Sequence, residues 1–321
     1  MKKIHNRQET VNTLVQELIK GDPRAIAKAI TLVENDGRQA REMMKDIYPY
    51  SGQSVIVGIT GAPGSGKSTL VDQMIPLLKK KGKKIGIVAV DPSSPFTGGA
   101  ILGDRIRMMR HSVDPDVFIR SMATRGHLGG LAKTTGEAIT VLEAAGKDFI
   151  LVETLGVGQD EVEVVKLADI VIVILTPGTG DDIQIFKAGI MEIADVFVLN
   201  KADSPDTDKV ERQLKAILQL SLRKEEITPV VKTVATKGTG VAQLIDILDN
   251  LISSANKQQQ ETRKKKLISW MLRDIISDRI YQEIAKRILA SVWDEFVEKI
   301  YRREMDPYSV AERLVKEIKG S

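Results

Sequence analysis

Seven short apolar runs punctuate the middle of the chain: SVIVGIT (54–60), KIGIVAV (84–90), VFIRSM (117–122), FILVET (149–154), DIVIVIL (169–175), VFVLN (196–200) and ITPVVKTVA (227–235). They are rich in Val and Ile and show little polar alternation. Strands buried on both faces read this way, because helices cover both sides of a parallel sheet. Longer stretches separate the runs, and the alternation predicts an open α/β sheet flanked by helices. In such a sheet ligands bind beyond the carboxyl ends of the strands.

The flanks read differently. Leu14, Leu18, Ala25, Ile26, Ala29 and Ile30 recur at helical spacing, with a break at Gly21 and a restart at Asp22-Pro23. Asp22 suits an N-cap and Pro23 the first helical position. Beyond residue 254, Leu267, Met271 and Ile275 form one row at i, i+4 spacing, and Ile276, Ile280, Ile284 and Ile288 form another. Phe296 and Ile300 continue the apolar face, and Val310, Leu314 and Ile318 follow a restart at Asp306-Pro307. The expected organisation is a helical N-terminal extension (1–50), an α/β domain (51–255) and a helical C-terminal arm (256–321). That arm holds both tryptophans and three of the five tyrosines. It needs something to bury against, either its own α/β domain or a second copy of the chain.

Composition narrows the chemistry. The 321 residues include no cysteine and three histidines, His5, His111 and His127. Disulfides, thiolate zinc sites, Fe–S clusters and a thiol nucleophile are excluded, and a histidine-built metal cage is not expected. The start carries two lysines but no continuous apolar segment, so neither a secretory signal nor a transit peptide is expected, and a cytoplasmic protein is. No apolar run approaches a membrane span. The net charge of +4 lies after residue 256, where fifteen Lys and Arg face eleven Asp and Glu. The cluster Arg263 to Lys266 has no interleaved aromatics and reads as a solvated helix face, so neither a nucleic-acid nor a membrane partner is expected.

Directly after the first apolar run come Gly61, Ala62, Pro63, Gly64, Ser65, Gly66, Lys67, Ser68 and Thr69, followed by an apolar helical stretch. This is G-x-x-x-x-G-K-S in its strand-to-helix context. The glycines let successive backbone N–H groups curl into an anion nest. The helix N-terminus adds unpaired donors and the positive end of its dipole. Lys67 reaches the β- and γ-phosphates and Ser68 offers a hydroxyl to Mg²⁺. Ala62 stands where the deviant loop of the chromosome-positioning ATPases has lysine, so that subclass is not matched.

The base is addressed by Asn200-Lys201-Ala202-Asp203 at the end of a predicted strand. Asp203 can accept from guanine N1–H and the 2-amino group, neither of which adenine presents. Adenine would leave a desolvated carboxylate unpaired. Asn200 can contact the base or brace the loop, and the stem of Lys201 can cover the base face. A further strand leads to Ala235, Thr236 and Lys237, where a backbone N–H, that of Ala235, is placed to point at guanine O6. These elements select GTP over ATP.

On the metal side, Glu153 ends a strand and opens E-x-x-G, with Gly156 as a sensor of the γ-phosphate and Gln159 either orienting water or serving as a polar loop residue. A second acid, Asp91, ends another strand and opens DPSSPFTGGAILGDRIRM, which contains Asp104. This stretch reads as a switch that orders around the γ-phosphate, or as a loop with an Asx-turn at Asp91-Pro92. Asp181, Asp182 and Lys187 lie in a third glycine-bearing loop whose charges can bridge nucleotide and partner.

In this order GAPGSGKST, VDPSSPFTGGAILGDRIRM, RGHLGGL, ETLGVGQDE, PGTGDDIQIFKAGIMEIAD and NKAD resemble the MeaB/ArgK group of P-loop GTPases, whose human member is the methylmalonic aciduria type A protein. The resemblance covers nearly the whole chain. It implies a P-loop NTPase fold and a GTP-hydrolysing chaperone of an adenosylcobalamin-dependent acyl-CoA mutase, most typically methylmalonyl-CoA mutase. Such proteins gate cobalamin loading and help exchange damaged cofactor without themselves binding cobalamin. The resemblance also implies a homodimer joined through the C-terminal arm. It places Lys67 and Ser68 on phosphates and Mg²⁺, and makes Asp91, Asp104 and Glu153 the metal and catalytic acids. Asp182 and Lys187 fall in a switch that contacts the mutase. Leu155 and Asp160 stand where Val and Ser are more usual in the group. A metal-insertion GTPase would need Cys/His ligands that this chain lacks, a P-loop kinase would need an acceptor site, and a binding module with a dead pocket would not need intact Lys67, Ser68, Asp91 and Glu153.

Overall fold

The computed structural model describes residues 2–35, 37–91, 109–111, 113–123, 130–154, 167–178, 194–220, 228–254, 257–287 and 290–319. The chain divides into two compact units, residues 1–261 and 262–321. The first contains the N-terminal helices together with the sheet.

Three helices open the first unit: α1 (Lys2–Ile19), α2 (Pro23–Glu34) and α3 (Arg38–Ile47). Asp22 caps α2 as its sequence suggests, its Oδ1 accepting from Ala25 N–H at 2.8 Å, with Pro23 in the first turn. Leu18, Ile26, Ile30, Met43 and Ile47 are fully buried. They pack these helices onto α5 (Gly130–Ala144) of the α/β layer, which is why residues 1–50 do not form a unit of their own.

Among the described residues the sheet has seven strands: β1 (Val55–Gly61), β2 (Ile85–Asp91), β3 (Val117–Ala123), β4 (Phe149–Thr154), β5 (Ile170–Leu175), β6 (Val196–Leu199) and β7 (Val230–Lys232). Their order is β3-β2-β4-β1-β5-β6-β7, and every strand pairing is parallel. Strands β4 and β5 are buried along their whole length, the consequence of helices on both faces. Ile59, Leu70, Met74, Ile172, Ile174 and Val198 are at the centre of that core. The chain winds to one side of β1 and then, after β4, crosses to β5 on the other. The crevice at the carboxyl end of β1 is therefore the topological switch point, where open α/β sheets hold their ligands.

The last strand is shorter than the apolar run 227–235 suggests. Among the described residues the strand itself is Val230–Lys232, and Pro229, which has no N–H to donate, stands immediately before it. Its carbonyl still accepts from Phe197 N–H at 2.9 Å. The layer is completed by α4 (Lys67–Lys80), α6 (Thr207–Leu220) and α7 (Val241–Ser254).

The second unit is made of α8 (Lys257–Arg287), whose first turns precede the division, α9 (Ala290–Tyr301) and α10 (Pro307–Lys319). Among its described residues Phe296, Val310 and Leu314 are buried together, with Ile284, Val292, Ile300 and Met305 packed around them. Ile268, Leu272, Ile276 and Ile280 of α8 are each about half exposed, as are Trp293 and Val297 of α9. Among the described residues no helix is long and apolar enough to cross a membrane.

Candidate functional site

The loop between β1 and α4 is built on two close approaches. A Cβ on Gly61 would meet the Ile174 carbonyl oxygen at 2.4 Å, and one on Gly66 would meet Asn200 Nδ2 at the same distance. Gly66 also has φ +91°, so a side chain is excluded there twice over. The loop folds on itself through Ser65 N–H to the Ala62 carbonyl (3.1 Å), and the helix starts with Leu70 N–H to the Gly66 carbonyl (2.9 Å).

Lys67 is the first residue of α4 and is buried with its ammonium inside the loop, donating to the carbonyls of Gly61 (2.7 Å) and Ala62 (3.0 Å). A buried ammonium needs such oxygens, and they hold it where an anion cradled by the loop would meet a full positive charge. The hydroxyl of Ser65 is buried within the same loop and has no hydrogen-bond partner among the described residues.

Ser68 Oγ donates to Glu153 Oε1 at 2.5 Å, and both residues are buried. Glu153 comes from β4, beside Ile59 of β1 in register, so two neighbouring strands and the P-loop helix converge here. The donor set is hydroxyl and carboxylate oxygen, the chemistry a small hard cation prefers. Mg²⁺ typically takes one or two protein oxygens and completes its shell with phosphate oxygens and water. The pair fits that ion. With its proton directed at Glu153, Ser68 keeps a lone pair for the metal.

Asn200 ties the site together. Its Nδ2 donates to the Ser65 carbonyl (2.8 Å) in the P-loop, while its Oδ1 accepts from Thr233 Oγ1 (3.0 Å) and from Ala235 N–H (3.1 Å). Of the two roles open to Asn200 from sequence, bracing is the one these bonds display. They also engage the Ala235 N–H expected to face guanine O6. The turn after Asn200 puts Lys201 at φ +55°, a left-handed conformation uncommon for a side-chain-bearing residue. Ala202 N–H to the Thr233 carbonyl (3.0 Å) and Ser204 N–H to the Lys201 carbonyl (3.0 Å) hold it there. Such a conformation, over-determined by its surroundings, is frequent where a loop presents side chains to a ligand. Asp203 follows, half exposed, with Lys237 Nζ 3.3 Å from its Oδ2. Lys237 ends a single 3-10 turn (Ala235–Lys237).

Residues 26–288 match the family described as Methylmalonyl Co-A mutase-associated GTPase MeaB. The chain belongs to the MeaB family. It is 49% identical to a putative GTPase of Pyrococcus abyssi over 97% of each chain. It is 36% identical to the GTPase ArgK of Escherichia coli, over 82% of this chain and 83% of that one. A mouse protein named methylmalonic aciduria type A homolog, mitochondrial, is 33% identical over 83% of this chain and 69% of its own length. Among solved structures, one titled LAO/AO transport system kinase superposes with a TM-score of 0.66 at 25% identity, covering 97% of this chain and 98% of that one. Membership makes the protein a P-loop GTPase, and its seven-stranded parallel sheet agrees.

Within this MeaB-family chain the structure brings together Gly61 through Thr69, Glu153, Asn200, Lys201, Asp203, Ala235, Thr236 and Lys237 around the carboxyl ends of β1, β4 and β6. Asp91 ends β2 with its backbone opposite Ala123, and its side chain lies outside the described set. Asp104, Gly156, Gln159, Asp181, Asp182 and Lys187 also lie outside the described residues. Sequence reasoning missed Thr233, whose hydroxyl orients Asn200. The only available signal was its place two residues before Ala235. It also missed Asp72 of α4, which belongs to no motif and is buried against Arg110 and His111.

Proposed function

We propose that the protein is a GTP-hydrolysing chaperone of an adenosylcobalamin-dependent acyl-CoA mutase, with methylmalonyl-CoA mutase as the client class. It gates cobalamin loading and reactivates the mutase, without holding cobalamin itself. The observation that carries the client is the match to a family described as mutase-associated over residues 26–288. The name of the mouse relative points the same way.

In this reading Asp203 and the braced Asn200 turn seat the guanine, and the P-loop N–H groups with Lys67 hold the phosphates. Ser68 and Glu153 hold Mg²⁺, with Asp91 and Asp104 completing the acid set. Mg²⁺, when bound, neutralises charge developing on the phosphate oxygens. Gly156 senses the γ-phosphate and Gln159 orients the attacking water. Positioning plus electrostatics suffices for phosphoryl transfer, so no covalent intermediate is required. Asp181, Asp182 and Lys187 carry the nucleotide state to the mutase.

The test is the GTPase rate with and without a purified cobalamin-dependent acyl-CoA mutase from the same organism. Stimulation that Asp182→Ala or Lys187→Ala abolishes is expected, and neither stimulation nor co-elution would remove the client. The kinase title of the solved relative is addressed in the same assay. Labelled γ-phosphate should end on water, and its transfer to an acceptor would favour a kinase.

The proposed assembly is a homodimer through residues 256–321. Its support is the half-exposed row Ile268, Leu272, Ile276 and Ile280, which a second copy would cover. Light scattering should give twice the mass of one chain, and Leu272→Glu with Ile276→Glu should give the monomer mass. A monomeric parent would refute the assembly.

A further inference from the structure

Thr233 directly follows β7 and is fully buried. Its backbone is tied twice to the turn that carries Asn200: its N–H donates to the Leu199 carbonyl at 2.9 Å, and its carbonyl accepts from Ala202 N–H at 3.0 Å. Its hydroxyl donates to Asn200 Oδ1 at 3.0 Å. The same oxygen accepts from Ala235 N–H at 3.1 Å, while the other end of the amide gives Nδ2 to the Ser65 carbonyl at 2.8 Å. A backbone N–H only donates and a backbone carbonyl only accepts, so these two contacts settle which end of the amide is which. Facing Oδ1, the Thr233 hydroxyl has to be a donor.

Two donors therefore share one oxygen, and one of them has a second claim on it. Ala235 N–H is the group read above as facing guanine O6, yet it is engaged by Asn200. It has a single hydrogen, so seating guanine draws that hydrogen away from Oδ1. Asn200 is only 2% exposed, and a buried acceptor stripped of its donor is costly. Thr233 supplies the donor that remains. We infer that Thr233 is a specificity-determining positioning residue: its hydroxyl keeps Asn200 Oδ1 satisfied when guanine takes the Ala235 N–H, so the 6-oxo group is read while Asn200 stays fixed to the P-loop. This role rests on the reading of Ala235 N–H as the donor to O6. Asp203, which reads N1–H and the 2-amino group, pairs with Lys237 and acts separately.

Thr233→Val keeps the branched shape and drops the hydroxyl. The two backbone bonds of Thr233 do not involve the side chain and should hold the turn, so the melting temperature should change little. Thr233→Ala removes the hydroxyl without adding a methyl group and serves if valine does not fold. Thr233→Ser is the conservative control. Each is made in the full chain, and affinities for GDP, IDP and 6-thio-GDP are measured by competition against bound fluorescent GDP. Hypoxanthine keeps the 6-oxo group and N1–H but lacks the 2-amino group. In 6-thioguanine a sulfur, a weaker acceptor, replaces O6 alone.

The parent should prefer GDP to both analogues. In Thr233→Val, GDP and IDP should each bind about tenfold more weakly, the scale expected when taking the Ala235 N–H leaves a buried acceptor without a donor. Affinity for 6-thio-GDP, which gains little from that N–H, should fall by less than about threefold. The preference for GDP over 6-thio-GDP then narrows, while that for GDP over IDP, set by Asp203, is unchanged. Thr233→Ser should restore the parent pattern. GDP affinity within about twofold of the parent in the folded valine or alanine variant would overturn the inference. So would an equal fall for all three nucleotides, which marks general loosening of the turn. A parent that does not distinguish GDP from 6-thio-GDP would refute the reading of Ala235 itself, and the inference falls with it. If the parent does distinguish them and Thr233→Val does so equally well, the Ala235 reading stands and only the role of Thr233 fails.

Discussion

Lys67→Ala is expected to slow GTP hydrolysis by about 10²–10³-fold, the usual cost of removing one preorganised donor from a site where charge develops. The reason lies in how the side chain is held. Its ammonium is buried in the loop by two backbone carbonyls, Gly61 and Ala62. The stem therefore emerges from the first residue of α4 into a space where water does not screen the charge. No other side chain among the described residues of the loop is cationic. Alanine leaves the two carbonyls facing the phosphates with nothing between, so repulsion adds to the lost attraction. Nucleotide affinity should fall with the rate, because the ammonium meets the β- and γ-phosphates in ground and transition states alike. Lys67→Arg should not rescue, since a planar guanidinium does not fit a pocket shaped for a compact ammonium. Fluorescent GDP titration and single-turnover hydrolysis on the same preparation check both effects. A near-normal rate would remove Lys67 from the site.

What could be read from the chain alone was whatever is written locally. The Asp22-Pro23 cap, the P-loop and the buried strands each depend on residues close in sequence, so spacing suffices. Gly61 and Gly66 were legible as a motif, although the reason for them is tertiary: Ile174 and Asn200 occupy the space where side chains would go. The two roles open to Asn200 could not be separated from sequence, because the bonds that decide reach residues 135 and 35 positions away. Asp72 was invisible for the same reason. An aspartate in an apolar helix has no signature until Arg110 and His111, far along the chain, are seen to close on it. The apolar rows of the C-terminal arm were legible as rows. Pattern alone did not show which would be buried: Phe296, Val310 and Leu314 find each other, while Leu272 and Ile276 stay half exposed. At the start of β7 a local residue, Pro229, interrupts the apolar run, since it has no N–H to give the ladder.

Asp203→Asn is expected to invert base preference from GTP to XTP. The carboxylate offers only acceptors, and guanine presents two donors to it, N1–H and the 2-amino group. Asparagine keeps one acceptor and adds an amide N–H₂, which then confronts the 2-amino group donor to donor. The lost bond to the 2-amino group is worth about 1.5–3 kcal/mol, about 10–10²-fold in GTP affinity, and the donor–donor contact and the weaker, uncharged bond to N1–H add to that fall. Xanthine keeps N1–H and replaces the 2-amino group by a carbonyl, which accepts from the new amide. The framework for this exchange survives the substitution. Lys201 is held at φ +55° by backbone bonds of Ala202 and Ser204, and Asn200 is held from three sides, none of which involves the Asp203 side chain. The substitution does remove the half-exposed ion pair with Lys237, which at such exposure contributes little to stability. Melting temperature should therefore stay near that of the parent while selectivity changes sign. Competition of GTP and XTP against bound fluorescent GDP, with hydrolysis of each triphosphate measured separately, reads the outcome. Unchanged GTP selectivity in a folded variant would show that Asp203 does not read the base. A loss of GTP binding without a gain of XTP would mean that the amide does not face the 2-position of the ring.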